Sequence, residues 1–186
     1  TLRKIASVNE KSGEFQKALD NLNKSLEIHK QQQNPSLEGV TLSQMASVYE
    51  NLGAYDLSIG HYEQALKIFQ QKYPLLTAST LGSLGYAYRK RGKSQKTPKD
   101  YEQAKKSFEM ALKYAREQGS VLEEASNLFG IARTYESLKD YPQAIANANQ
   151  ALQLSGKHNL KLTEDAALNV LSIVYEAAGD YQKALD

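Results

Sequence analysis

Side chains able to do chemistry are few and poorly grouped in this sequence. The three histidines, His29, His61 and His158, stand far apart, and there is no cysteine. A thiol nucleophile, a cysteine-ligated zinc and a disulfide are therefore excluded within the chain. No serine lies in a nucleophile motif, and no glycine-rich run is built to cradle phosphates. Asp140, Asp180 and the scattered glutamates fall where helix caps and polar helix surfaces want them. No metal, cofactor or catalytic residue is expected, and the chain reads as a non-enzyme. Two features remain. Tyr86 stands three residues before Arg89, and Phe129 four before Arg133, so each pair shares a helix face. An aromatic beside a guanidinium offers apolar area and a forked donor for carboxylates, which is the chemistry of binding. The second feature is the segment from Arg89 to Lys99, with six basic residues and no acidic one.

The chain has 186 residues; Lys plus Arg is 23 and Asp plus Glu is 21, a net charge of +2. So even a balance gives no long-range field favouring nucleic acid or an anionic membrane as partner. The basic segment lacks the interleaved aromatics of single-strand binders. It reads first as a solvated extension of a turn. No apolar run approaches the ~20 residues of a membrane helix. The lack of cysteine is compatible with a reducing compartment, and we expect a cytoplasmic protein. The first residue is Thr1, so we expect a piece of a longer protein.

These residues are positioned by a repeat. Gly13, Gly53 and Gly92 lie 40 and 39 residues apart, Lys139 follows 47 further on, and Gly179 another 40. The long interval holds an insertion, residues 93–99; without its seven residues the spacing is again 40. An aromatic follows each anchor at Phe15, Tyr55, Tyr101, Tyr141 and Tyr181, and a tyrosine precedes most of them at Tyr49, Tyr88, Tyr135 and Tyr175. Leucine stands eleven residues before every anchor, at Leu2, Leu42, Leu81, Leu128 and Leu168.

Within a unit, apolar residues recur at helical spacing, as in Leu42, Met45, Ala46 and Tyr49, and no period-two alternation occurs. Each unit is thus a helix A, a tight turn at the anchor and a helix B. A left-handed residue at the turn explains the glycines, and Asp100, Asp140 and Asp180 sit where an N-cap is wanted. Helices A are expected near 2–12, 36–52, 76–91, 121–138 and 162–178; helices B near 14–32, 55–72, 98–118, 140–155 and from 180 onward. The fold class is all-α, a single array over 1–186 with units near 1–35, 36–74, 75–120, 121–160 and 161–186. The insertion should protrude at the third turn. Both terminal units look cut short, as in a fragment of a longer array.

The stretch Leu81-x-x-Leu84-Gly85-x-x-Tyr88, followed by Asp100-Tyr101-x-x-Ala104, Phe108 and Ala111, resembles the tetratricopeptide repeat consensus, with leucine in place of its tryptophan. The longer unit is similar to the repeats of kinesin light chains and of bacterial signalling arrays, among them cyanobacterial chains carrying a protease-like domain. The resemblance implies a right-handed superhelix with helices A on its concave wall, and binding of a partner's peptide or helix without catalysis. In this register the groove presents Arg3, Ser7, Gln44, Ser47, Ser83, Tyr86, Arg89, Phe129, Arg133 and Asn169. The carboxylate clamp of chaperone-binding relatives does not carry over: Arg3, Ser7, Gln44, Ser79 and Ser83 occupy its places, and only Arg3 is similar to the clamp residue there.

The first reading is a protein–protein interaction scaffold, whose ligand carries acidic and apolar residues. The alternative is a regulatory or sensor arm of a larger signalling protein or protease, with a partner domain in cis. Nucleic-acid contact through 89–99 ranks third, and no membrane partner is expected.

Overall fold

The structure, a computed structural model, describes residues 1–69 and 72–180. Among these are nine helices and no strand: α1 (Leu2–Lys11), α2 (Phe15–Gln31), α3 (Pro35–Asn51), α4 (Tyr55–Phe69), α5 (Pro74–Gln95), α6 (Pro98–Glu117), α7 (Val121–Ser137), α8 (Tyr141–Lys157) and α9 (Lys161–Ala178). The helix expected from 180 onward, with Tyr181 in it, lies outside the described residues.

The helices start and stop for local reasons. Pro35, Pro74 and Pro98 open α3, α5 and α6, where proline loses no hydrogen bond and its fixed φ suits the helix. Asn34 caps α3 by accepting the Leu37 N–H at 3.1 Å, and Asp140 caps α8 by accepting the Gln143 N–H at 3.3 Å. The A-to-B turns close by one motif. A left-handed residue follows the helix, and the next N–H reaches back five residues, as from Ala54 to the Tyr49 carbonyl and from Asp140 to the Tyr135 carbonyl. Lys139 takes this conformation with φ +61° although it carries a Cβ.

The third turn departs from the sequence expectation. Gly92 does not turn the chain; it lies buried inside α5, and the left-handed residue is Lys96, with φ +54°. Nor does the insertion protrude as a loop. Helix α5 has 22 residues where α3 and α7 have 17, and α6 has 20 where α2 and α8 have 17. Seven residues are close to two helical turns, so the insertion lengthens each helix of this hairpin by about one turn. Gly92 serves close approach instead. A Cβ there would stand 3.2 Å from the Asp100 Cβ and 3.3 Å from the Tyr101 ring. Asp100 is correspondingly not an N-cap; it sits buried in the first turn of α6, whose N-cap is Thr97.

Each helix packs on the next, and α1, α3, α5, α7 and α9 also pack on one another in series, whereas among the described residues the backbones of α2, α4, α6 and α8 do not approach one another. Elements in contact on one side and splayed on the other form a curved stack, with the A helices as its inner wall. Small residues permit the approach: Ala6, Ala18, Ala46, Ala104, Ala132 and Ala144 are all buried. The tightest point surrounds Phe108 of α6, which is fully buried. A Cβ at Gly85 of α5 would meet its ring at 2.8 Å, and one at Gly130 of α7 at 2.5 Å. Tyr86 adds an edge-on contact, with ring centroids 4.8 Å apart.

Candidate functional site

The basic segment is a helix end, so its charges point in different directions. Successive residues on a helix are turned by about 100°, and Arg89, Lys90 and Arg91 meet different neighbours. Lys90 pairs with Glu50 of α3 at 2.7 Å. Arg91 turns to the hairpin: its Nε and Nη2 hold both Asp100 oxygens, its Nη1 reaches Asp56 of α4, and its guanidinium lies 5.3 Å from the Tyr88 ring centroid. Arg89 and Lys93, one turn apart, face the inner wall instead. The run is therefore not one basic stripe; Lys93, Lys96 and Lys99 are its exposed members.

The inner wall divides into two parts. At the α1–α3 end, the Arg3 Nε donates to Gln44 Oε1, and Glu10 accepts from Ser47 Oγ at 2.7 Å and from Asn51 at 2.8 Å. Arg3, Gln44 and Ser47 thus tie α1 to α3. With Ser7, Ser25, His29 and Leu37, Arg3 and Gln44 also line a cavity of about 390 Å³. In the middle, Ser83 hydrogen-bonds the Tyr62 hydroxyl.

The α5–α7 end carries the charge. A cavity of about 300 Å³ is lined by Arg89 and Lys93 of α5, Tyr101 of α6, Arg133, Glu136 and Ser137 of α7, Lys139 of the turn, Tyr141 of α8, and Ile173 and Ala177 of α9. Arg133 stands 3.6 Å from Glu136 one turn on. Arg89 makes no ion pair among the described residues, and its buried Nε has no hydrogen-bond partner. Burial, then the like charge of Arg133, holds the Arg89 guanidinium below its ordinary pKa. The nearby carbonyls at the end of α7 are already used: those of Thr134, Tyr135 and Glu136 accept the N–H groups of Leu138, Asp140 and Lys139.

The structure thus brings Arg89 and Arg133 together, and separately Arg3, Ser7 and Gln44. The aromatics expected beside the arginines are largely spent on packing. Tyr86 lies against Phe108 and donates to the Ser126 carbonyl at 3.4 Å, and burial pushes its hydroxyl up to about 12. Phe129 is half-buried between the cores that α7 shares with α6 and with α9. Asn169 is exposed on α9 and lines neither cavity, while its neighbour Val170 is fully buried. Lys93, Tyr101, Lys139 and Tyr141 were absent from the expected groove. Ending helix A at residue 91 hid that Lys93 follows Arg89 at i, i+4 on one face.

The helix-pair stack and its sequence pattern agree with one family. The chain matches the tetratricopeptide repeat over residues 1–71, 37–96 and 99–157. The chain belongs to the tetratricopeptide repeat family. Among solved structures it is similar to the nearly identical TPR-like repeats of a kinesin light chain-like protein from Podosopora anserina, at 16% identity and TM-score 0.78, covering 99% of this chain and 88% of that one. It is also similar to PH0952 of Pyrococcus horikoshii, a signal transduction ATPase with numerous domains and a tetratricopeptide repeat sensor: 19% identity, TM-score 0.83, 98% of this chain and 28% of that one. A Rap protein complexed with competence and sporulation factor matches at 19% identity and TM-score 0.80, over 99% of this chain and 50% of that one. No curated protein matches. At these identities the structural likeness establishes the fold. The tetratricopeptide repeat itself implies a protein–protein interaction scaffold, and the family is generally non-catalytic. No helix among the described residues is long and apolar enough to cross a membrane.

Proposed function

We propose that this array is a non-catalytic, cytoplasmic scaffold whose inner wall receives a peptide or helix of a partner protein. The observation that carries this reading is the cavity at the α5–α7 end, where Arg89 has no anionic partner among the described residues. A half-buried cation left without an acceptor is costly to the free fold, and such groups collect where a ligand completes them. Ile173, Tyr101 and Tyr141 supply apolar surface around the same cavity. The ligand is therefore an acidic residue beside a bulky apolar one. The net charge of +2 makes selection depend on local fit and not on long-range attraction.

A second reading, the sensor or regulatory arm of a larger protein, draws support from the similar sensor repeats of PH0952. The two share a groove and differ in whether its occupant is in trans or in cis. An affinity capture with the wild-type array, with Arg133→Glu, and with Lys113→Glu on the outer helix α6 tests the binding site. Partners kept by the wild type and Lys113→Glu and lost from Arg133→Glu are expected. Equal capture by all three rejects the inner wall.

A further inference from the structure

The cavity at the α5–α7 end holds more positive charge than one carboxylate would need. Arg89, Lys93, Arg133 and Lys139 line it against Glu136, the single acid among the described residues of its lining. Glu136 is already engaged with Arg133, and Lys93 and Lys139 are exposed at the rim. Of the remaining polar groups, the hydroxyls of Tyr101 and Tyr141 can donate to an oxyanion, while the Ser137 hydroxyl already donates to the Arg133 carbonyl at 2.9 Å. Helix-end cations are commonly answered by free backbone carbonyls. Here the turn takes the carbonyls of Thr134, Tyr135 and Glu136, and among the described residues the buried Nε of Arg89 finds no acceptor. Two forked guanidiniums and two ammonium groups around one cavity match a tetrahedral dianion, which offers three acceptor oxygens and about two negative charges.

We propose that this cavity is a phosphoryl subsite, built on Arg89 and Arg133 and rimmed by Lys93 and Lys139, that takes a phosphorylated side chain of the bound peptide. This rests on the peptide-binding reading above and goes further in naming the charge. Arg89 is the central group. Its Nε is buried without a partner among the described residues, and it gains the partner that the free fold withholds.

The test compares three degenerate peptide libraries, identical except for a fixed central phosphoserine, glutamate or serine, together with inorganic phosphate alone. Binding is measured to the wild type, Arg89→Gln and Lys113→Glu, and each protein is melted first. Arg89→Gln removes a desolvated, unpaired cation, so its melting temperature should be equal to or above that of the wild type. Phosphoserine peptides are expected to bind the wild type and Lys113→Glu about tenfold or more tightly than either other library, and Arg89→Gln should abolish that preference. Equal binding of glutamate and phosphoserine libraries overturns the phosphoryl assignment and leaves an acidic-peptide groove. Binding of inorganic phosphate with no preference among peptides overturns the peptide source and leaves a free-anion site. Peptide binding indifferent to both charge and Arg89→Gln removes the subsite but not the groove. No peptide binding from any library rejects the groove reading itself.

Discussion

Arg91 grips Asp100 with two nitrogens, Nε to Oδ2 at 2.9 Å and Nη2 to Oδ1 at 2.7 Å. The Asp100 side chain is only 5% exposed, so its charge depends on this fork for solvation. The same guanidinium reaches Asp56 of α4, which links three successive helices through one side chain. Removing Arg91 alone leaves a buried carboxylate unpaired, a change that costs about 3 kcal/mol. Arg91→Ala is expected to lose stability on that scale in a urea titration. Arg91→Met combined with Asp100→Leu should recover most of the loss. Equal instability of the single and double variants would mean that packing, and not the charge, holds this hairpin.

The Phe108 ring gives a second expectation. Its room depends on the missing Cβ of Gly130, which would lie 2.5 Å from the ring carbon Cε1. Alanine normally stabilises a helix interior over glycine by about 1 kcal/mol. Here overpacking should outweigh that gain, with a net loss of about 1–3 kcal/mol for Gly130→Ala. At Gly60 of α4, where a Cβ would meet nothing within 4 Å, the same change should raise the melting temperature. A rise in both would show that the ring moves aside freely.

Lys96 and Lys139 hold left-handed backbone at φ +54° and +61°. A Cβ in that region costs roughly 1–2 kcal/mol that glycine avoids, less glycine's greater freedom in the unfolded chain. Lys96→Gly and Lys139→Gly are each expected to raise the melting temperature. Gly53→Ala at the equivalent turn, φ +74°, should lower it. Unchanged melting in all three would point to relaxed turns of another geometry.

His61 carries a pH signature. It stacks on Tyr49 with ring centroids 5.2 Å apart, and its buried Nδ1 has no partner among the described residues. Burial favours the neutral ring and holds its pKa below the ordinary 6.5. As pH falls, the unfolded chain takes up this proton before the folded one does. The site's contribution to stability is therefore complete above 6.5 and is lost as pH falls through that value towards the lower folded one. Between about pH 8 and pH 5.5, the wild type should lose more melting temperature than His61→Phe, which keeps the stacked ring and cannot charge. Identical acid sensitivity in the two would place the titrating group elsewhere.

The helices and their A/B alternation were legible because the turns repeat their chemistry: a glycine or Lys139 as anchor and an aromatic two residues on. The third unit misled because Gly92 matched the spacing of Gly13 and Gly53. Spacing alone does not distinguish a glycine needed for left-handed backbone from one needed for close approach to Asp100 and Tyr101. The wall residues were legible as a helix face, since register follows from periodicity. Their partners were not. That Lys90 is answered by Glu50, that Arg91 is answered by Asp100, and that the Arg89 Nε finds no acceptor among the described residues depends on which helices meet across 9 to 40 residues of chain. Tyr86 and Phe129 were assigned to the wall by helix face, but the depth at which a ring stops being available surface and becomes core is set by neighbouring helices.

The binding wall is tested most directly by selection. A random peptide display library is panned on the wild-type array, and the recovered peptides are rebound to Arg133→Glu and to Lys113→Glu, both first shown to melt as the wild type does. An acidic residue beside a bulky apolar one should recur among the selected peptides. Their affinity should fall about thirtyfold, roughly 2 kcal/mol, for Arg133→Glu and stay unchanged for Lys113→Glu. Selected peptides with no acidic–apolar signature, bound equally by all three proteins, would contradict an anion-reading groove on the α5–α7 wall.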